Sequence, residues 1–145
     1  MRKIPYELRD VFTDRALAGN ALAVFVEADE LDGAIMQALA RETNLSESAF
    51  IIRAESASAD ARIRIFTPTM ELPFAGHPTL GAAFVLAARR RQDAINLETG
   101  RGLVSLRLRH RAGRASFRMD EPAVATDRTL RHRVRRGWRA GRTRR

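Results

Sequence analysis

The residues best suited to chemistry stand at the start of an apolar segment near the middle of the chain. His77 is one of three histidines, and it lies between Gly76 and Pro78 in the stretch ELPFAGHPTLGAA, residues 71–83. Proline is favoured at the start of a helix because its missing N–H would have no partner there. The stretch therefore predicts a helix over residues 78 to about 91, with His77 at its cap, where Ser, Thr, Asp or Asn usually stand.

The predicted helix combines an anion-binding start with an apolar body. Its free backbone amides and the positive end of its dipole favour an anion. Residues 80–88 place apolar side chains on every side of the helix, and a helix that is apolar all round is buried on all sides. In a small domain this requires a sheet that wraps around the helix.

Composition limits the kinds of site that the chain can build. The 145 residues are 45% hydrophobic and include no cysteine, which excludes disulfides, thiolate metal sites and cysteine nucleophiles. Neither His110 nor His132 shows ligand spacing, so we expect no metal site. The opening MRKIPYELRDV shows no secretory signal, and no apolar run approaches the roughly 20 residues of a membrane helix. We expect a cytoplasmic protein without a membrane partner.

The net charge of +9 is concentrated near the end of the sequence. Residues 122–145 contain nine arginines and one acidic residue, a net charge of +8, whereas residues 1–121 carry 17 basic and 16 acidic side chains. A block of like charge without an apolar period is usually disordered. We therefore predict a folded domain over residues 1–121 and an arginine-rich tail over residues 122–145.

Three interpretations of the tail remain open. It can bind nucleic acid, since phosphate contacts require only positive charge, or it can be a solvated appendage. It can also be the product of a shifted reading frame in a GC-rich gene, because arginine is abundant in it and lysine is absent. We favour the shifted frame, and we expect no nucleic-acid partner except through this tail.

The rest of the predicted domain alternates strands with one further helix. Asp32 is a suitable cap for a helix over residues 33–42. A Gly-Arg-Gly turn at residues 100–102 indicates a hairpin between the two strands beside it. Arg62 and Arg64 alternate with apolar residues, so we assign them to a solvated strand face with no function. Strands are predicted at residues 6–12, 21–26, 49–53, 61–66, 95–98, 103–108 and 115–119.

Four segments carry recognisable patterns: VFT with the following GN (residues 11–20), NLSESAF (44–50), IRIFTP (63–68) and ELPFAGHPTLG (71–81). In this order they resemble the PhzF-like phenazine biosynthesis family, part of the diaminopimelate epimerase-like superfamily. The last segment, with Glu47 upstream of it, is the most specific. The resemblance covers the predicted domain and about the first half of a family member.

The resemblance implies an α/β (α+β) fold in which a mixed sheet curls around a central apolar helix. A family member has two such diaminopimelate epimerase-like domains with the active site between them, so this chain corresponds to a single domain of a normally two-domain fold. The family reaction is the isomerisation of dihydro-3-hydroxyanthranilate by proton transfer, without a cofactor. The absence of cysteine favours this branch over the epimerases and racemases that use a cysteine pair.

The resemblance also implies roles for individual residues. Glu47 corresponds to the catalytic acid/base carboxylate, and His77 corresponds to the active-site histidine. The positions that correspond to binding of a small-molecule carboxylate substrate are Gly19, Asn20, Gly76, Pro78 and Thr79.

Two functions from different classes remain as hypotheses. The first is a PhzF-like isomerase, truncated and weakly active or inactive alone because half of the cleft is absent. The alternative is a non-catalytic remnant or binding module, which forms a homodimer through its open cleft face or binds nucleic acid through residues 122–145.

Overall fold

A computed structural model describes residues 3–13, 15–111 and 114–120 of the chain. The predicted tail, with His132, lies outside these residues. No helix in the described ranges is long and apolar enough to cross a membrane. The elements in chain order are β1 (Tyr6–Val11), β2 (Asn20–Phe25), α1 (Gly33–Thr43), β3 (Glu47–Ile52), β4 (Ala61–Phe66), β5 (Glu71–Leu72), α2 (Gly76–Arg90), β6 (Ala94–Thr99), β7 (Gly102–Arg111) and β8 (Arg114–Asp120).

The strands form one mixed sheet in the order β1-β2-β3-β4-β6-β7-β8, with the short β5 paired to β4. The pairs β2–β3 and β4–β6 are parallel, and the remaining described pairs are antiparallel. The chain passes through α1 between β2 and β3, and through β5 and α2 between β4 and β6. The predicted hairpin is formed by β6 and β7, and its turn holds Gly102 at φ 109°, a conformation that glycine adopts readily.

The sheet curls around α2, as the sequence predicts. Helix α2 packs against all seven strands on the main path of the sheet. Ten of its residues between His77 and Ala87 are buried. Side chains from alternate strand positions, such as Leu22, Ile65 and Leu97, face it. Burial of this apolar surface is the main force that holds the helix at the centre.

A second, smaller core lies on the opposite face of the sheet, under α1. Met36 and Ala40 of this helix pack with Phe25, Phe50 and Phe66. The Phe25 and Phe50 rings stack with centroids 4.5 Å apart, and Phe50 meets Phe66 edge-on at 5.4 Å. The sheet is therefore filled by α2 on its concave face and covered in part by α1 on its convex face.

The ends of α1 confirm the predicted cap. Oδ1 of Asp32 accepts a hydrogen bond of 2.8 Å from the backbone N–H of Ile35. The helix ends where Asn44 adopts the left-handed conformation with φ 50°, which asparagine tolerates better than most residues.

The predicted start of α2 is wrong. The helix begins at Gly76 with Ala75 as its N-cap, so His77 lies inside the first turn and does not cap it. The Ala75 carbonyl accepts both the backbone N–H of Thr79, at 3.3 Å, and the Thr79 hydroxyl, at 2.7 Å. The backbone bond is the first of the helical ladder, and the hydroxyl bond reinforces it.

Two further local predictions need correction. Strand β1 ends at Val11, because Phe12 leaves the strand with φ 67°. Strand β5 was not predicted, since two residues are too few to show an alternating pattern. It adds to β4 through the pairs Ile65–Leu72 and Phe66–Glu71.

Gly81 allows α2 to lie close to β1 and β2. A Cβ at this position would lie 2.3 Å from Cδ2 of the fully buried Leu22 and 3.2 Å from Cγ2 of Val11. We expect Gly81→Ala to lower the free energy of unfolding by about 1–3 kcal/mol, because overpacking forces the neighbours away from their rotamers. Urea unfolding of the chain measures this change.

The matched control is Gly76→Ala in the same helix. A Cβ there would meet no atom within 4 Å, and alanine stabilises a helix relative to glycine by roughly 0.5–1 kcal/mol. If both substitutions changed stability by the same amount, close packing at Gly81 would not be the cause.

Candidate active site

Three strand ends and the start of α2 meet at one edge of the sheet. Val11 at the end of β1 pairs with Asn20 at the start of β2, and Leu22 pairs with Glu47 at the start of β3. The packing of Gly81 against Val11 and Leu22 holds the first turns of α2 at the same edge. The fold therefore brings Glu47 and His77, which were predicted from separate segments of the sequence, to the same edge of the sheet.

Glu47 and His77 contact each other at this edge. Oε2 of Glu47 lies 3.4 Å from Nδ1 of His77, and the two side chains are 20% and 8% exposed. The contact is within ion-pair distance but does not have the geometry of a hydrogen bond. Oε2 of Glu47 and Nε2 of His77 are both buried and have no hydrogen-bond partner among the described residues. Such atoms are rare in native structures, so the two buried atoms at this contact call for an explanation.

Burial controls the charge of His77. Removal from water lowers the pKa of the imidazole below its ordinary value of 6.5, and the Glu47 carboxylate opposes this effect only in part. The imidazole is therefore neutral at neutral pH, with one N–H donor and one acceptor nitrogen. It can donate a hydrogen bond to a ligand without bringing a charge into the site.

The first turn of α2 offers two free backbone amides, at Gly76 and His77, because helical hydrogen bonding gives neither an acceptor. Pro78 has no N–H, and Thr79 uses its N–H and hydroxyl on Ala75. The side chains of Pro78 and Thr79 are fully buried, so neither presents a free polar group to a ligand. Open space lies beside Gly76 where other residues carry a Cβ.

A side-chain hydrogen bond ties the Gly19-Asn20 segment to the residue before Glu47. Oδ1 of Asn20 accepts a hydrogen bond of 3.1 Å from the hydroxyl of Ser46, the residue before Glu47. Close packing alone explains why residue 19 is a glycine. A Cβ there would lie 2.5 Å from both the Val11 carbonyl oxygen and Cγ2 of Thr13. Ser46 was not predicted as a site residue, because its contact with Asn20 depends on how β2 and β3 pair.

The segment that leads into His77 is held from two sides. Arg64 of β4 makes two hydrogen bonds, of 2.7 and 2.8 Å, to the carboxylate of Glu71 in β5, which holds the pKa of Glu71 below its usual range. Gly100 leaves room for Pro73, to which a Cβ would approach within 2.8 Å. Arg64 is therefore only partly solvated, and its contact with Glu71 could not be predicted from the strand pattern because it depends on the pairing of β4 with β5.

Residues 9–139 match the family of phenazine biosynthesis-like proteins, PhzC-PhzF. The chain belongs to this family. It is 50% identical over 109 residues to the trans-2,3-dihydro-3-hydroxyanthranilate isomerase of Pseudomonas aeruginosa, an alignment that covers 75% of this chain and 39% of that protein. Against the isomerase of the same name from Pseudomonas fluorescens the identity is 46% over 118 residues, with coverages of 81% and 42%.

Solved structures confirm the predicted fold. The PhzF-family phenazine biosynthesis protein of Bacillus anthracis matches with a TM-score of 0.74 at 28% identity, covering 82% of this chain and 40% of that one. A proline racemase-like protein from Agrobacterium radiobacter shares the fold at 18% identity, with a TM-score of 0.59 and coverages of 79% and 41%. The chain spans about two-fifths of the length of these relatives. The family match extends beyond residue 121, and the domain boundary there stays a prediction.

The lowered pKa of His77 makes stability depend on pH. The unfolded chain binds the imidazole proton more tightly than the folded chain, so the free energy of unfolding falls as the pH drops below the ordinary value of 6.5. We expect an NMR titration to give His77 a pKa below 6.5. Glu47→Gln should lower this pKa further, because it removes the negative charge that stabilises the protonated imidazole. His77→Gln assigns the resonance and removes this part of the pH dependence. A His77 pKa at or above the ordinary value would contradict the role of burial.

Proposed function

We propose that the chain forms one wall of the active site of a cofactor-independent isomerase of the PhzF type. The reaction is the transfer of a proton between two carbons of a small carboxylate-bearing substrate. The observation that carries this proposal is the buried contact between Glu47 and His77, beside the free amides of α2. The names of the isomerase relatives support the reaction class.

Glu47 is the acid/base residue in this proposal. Its carboxylate accepts a proton from one carbon of the substrate and returns it to another carbon, so substrate and product are isomers and the carboxylate is regenerated. The buried position of Oε2, without a hydrogen-bond partner among the described residues, leaves a lone pair available for this transfer.

His77 and Gly76 hold the substrate in this proposal. The neutral imidazole exchanges hydrogen bonds with a polar group of the substrate, next to the position from which Glu47 takes the proton. The amides of Gly76 and His77 bind the substrate carboxylate, which the positive end of the α2 dipole stabilises. We assign Asn20, held by Ser46, to the same site.

We infer that the facing wall of the site comes from the part of the relatives that this chain does not match. The chain covers 39% and 42% of the two isomerases, and residues on one wall can orient a substrate but cannot enclose it. We expect the 145-residue chain to be weakly active or inactive alone.

Replacement of Glu47 tests the assigned role directly. The test uses a chimera that joins this chain to the unmatched remainder of the Pseudomonas aeruginosa isomerase. In this chimera we expect Glu47→Gln to lower kcat by about 10²- to 10⁴-fold, the usual contribution of a general acid/base. Turnover of trans-2,3-dihydro-3-hydroxyanthranilate and exchange of its proton with D₂O are the measurements.

The control is Glu42→Gln, which removes the same charge from an exposed position near the end of α1. It should leave kcat unchanged. If the Glu47→Gln chimera turned over as fast as the unmodified one, Glu47 would not transfer the proton.

A substitution at Gly76 distinguishes an effect on ligand binding from an effect on stability. We expect Gly76→Ala to keep or raise the stability of the chain, because the new methyl group meets no protein atom within 4 Å. The same methyl group would obstruct an anion at the neighbouring amides, so the affinity for benzoate should fall by about 10- to 100-fold, the loss of one hydrogen bond to a charged group. NMR titration measures the affinity, and unchanged benzoate binding would place the anion elsewhere.

The alternative function stays a prediction. A non-catalytic module that binds nucleic acid would use residues 122–145, which lie outside the described residues, and a homodimer would use the open face of the cleft. Light scattering tests the homodimer, and salt-dependent binding to DNA that is lost on deletion of residues 122–145 tests the tail.

A further inference from the structure

The convex face of β7 and β8 carries exposed arginine side chains. Helix α1 covers the convex face at β2, β3 and β4, whose residues form the second core. In β7, Val104 and Leu106 are fully buried and belong to the core around α2. Because side chains alternate between the two faces of a strand, Arg107 and Arg109 point away from α2, and both are exposed. Positive charge therefore lies on a part of the convex face outside the second core.

Arginines of the two strands are directly opposite each other. In the register of β7 and β8, Arg107 is paired with Arg118, and further along Arg111 is paired with Arg114. Residues paired in this way share one face of the sheet, and like charges at such positions are destabilising. The side chains of Arg107 and Arg118 are exposed, and neither forms an ion pair or hydrogen bond with another described residue. The described contacts therefore do not offset this repulsion, whereas an anion bound between the two guanidinium groups would.

The positive charge of the predicted domain is segregated onto these two strands. Together β7 and β8 contain five arginines and one acidic residue. The part of the chain that precedes them, residues 1–101, contains 12 basic and 14 acidic side chains. A basic patch on one face of an otherwise slightly acidic domain attracts polyanions, and it is the usual electrostatic footprint of a surface that contacts phosphates.

The residues of this face favour a double helix over a single strand as the polyanion. None of the described side chains on the convex face of β6, β7 and β8 is aromatic: they are Ala94, Asn96, Glu98, Leu103, Ser105, Arg107, Arg109 and Arg118. Single-stranded nucleic acid is held largely by stacking of its bases on aromatic rings, which these residues do not supply. A duplex keeps its bases stacked and exposes its phosphates, and contacts to phosphates require only positive charge.

We propose that the arginine face, defined by Arg107, Arg109 and Arg118, binds the phosphate backbone of double-helical nucleic acid. The guanidinium groups donate hydrogen bonds to phosphate oxygens, so binding depends on charge and not on base sequence. This activity goes beyond the proposed function, because it uses no residue of the candidate active site. The sequence predicted nucleic-acid contact only through residues 122–145, and the pairing of β7 with β8 adds this second surface.

The salt dependence of DNA binding tests this assignment on the full 145-residue chain. The probe is a fluorescently labelled DNA duplex of about 20 base pairs, and its anisotropy measures affinity between about 50 and 200 mM salt. Each phosphate contact contributes about 0.9 to the slope of log affinity against log salt concentration, so the double variant Arg107→Gln, Arg118→Gln should reduce this slope by about 1.8. Over that salt range the unmodified chain should therefore lose about 12-fold more affinity than the variant.

A matched double variant separates the arginine face from total charge. Arg15→Gln, Arg41→Gln removes the same two charges from exposed positions in the β1–β2 loop and in the last turn of α1, and it should leave the slope unchanged. Residues 122–145 are present in every variant, so any binding through them is common to all.

Two further measurements separate binding from folding. Arg107→Lys, Arg118→Lys keeps both charges and should keep the slope. Thermal unfolding should show the Arg107→Gln, Arg118→Gln chain to be at least as stable as the unmodified one, because the repulsion between opposite arginines is removed.

Four results would overturn the proposal. The first is that the unmodified chain does not bind the duplex, and the second is that Arg107→Gln, Arg118→Gln reduces the slope no more than the control does. The third is tighter binding of single-stranded DNA of the same length. The fourth is tighter binding of polyglutamate that is lost in the Arg107→Gln, Arg118→Gln chain, which would assign the face to an acidic protein partner. None of these results bears on the proposed function, because Glu47 and His77 are unchanged in every variant.

Discussion

The enclosure of α2 by a single sheet is the constraint on which the rest of the structure depends. A helix leaves amides unpaired in its first turn and carbonyls unpaired in its last, and burial of such groups without partners is unfavourable. Helix α2 meets this constraint by burying its body while its last residues, Arg89 and Arg90, are exposed. Its first turn lies at the edge where β1 ends and β2 and β3 begin. The same packing that stabilises the helix therefore brings His77, in the first turn, into contact with Glu47.

The site is held by its surroundings more than by bonds within it. Each buried polar atom without a partner is unfavourable by about 1–3 kcal/mol, and Glu47 and His77 contribute one each. The contacts that hold this arrangement lie outside the pair: Thr79 bonds to Ala75, Arg64 to Glu71, and Gly100 packs on Pro73. An arrangement that is unfavourable locally and imposed by its neighbours is what a preorganised site requires.

Local patterns predicted the elements well where a local interaction decides them. The cap at Asp32, the hairpin turn at Gly102 and the apolar circumference of α2 all depend on residues a few positions apart. The start of α2 was mispredicted for a physical reason. Proline is tolerated anywhere in the first turn, since none of the amides there has a helical partner. Pro78 therefore indicates that a helix begins nearby, whereas the bonds from Thr79 to Ala75 decide at which residue it begins.

Local patterns were sufficient to predict a buried central helix with a polar first turn, because hydrophobic period and capping depend on residues a few positions apart. The family resemblance added Glu47, which no local pattern distinguishes from a solvated loop carboxylate. Three contacts became visible only in the folded chain: Glu47 lies 3.4 Å from His77, Arg64 holds the segment before His77, and the ring of Phe12 lies beside that of His77. These contacts join residues that are far apart in the chain. They depend on the register of the strands and on the path of two parallel connections, and neither can be inferred from residues adjacent in sequence.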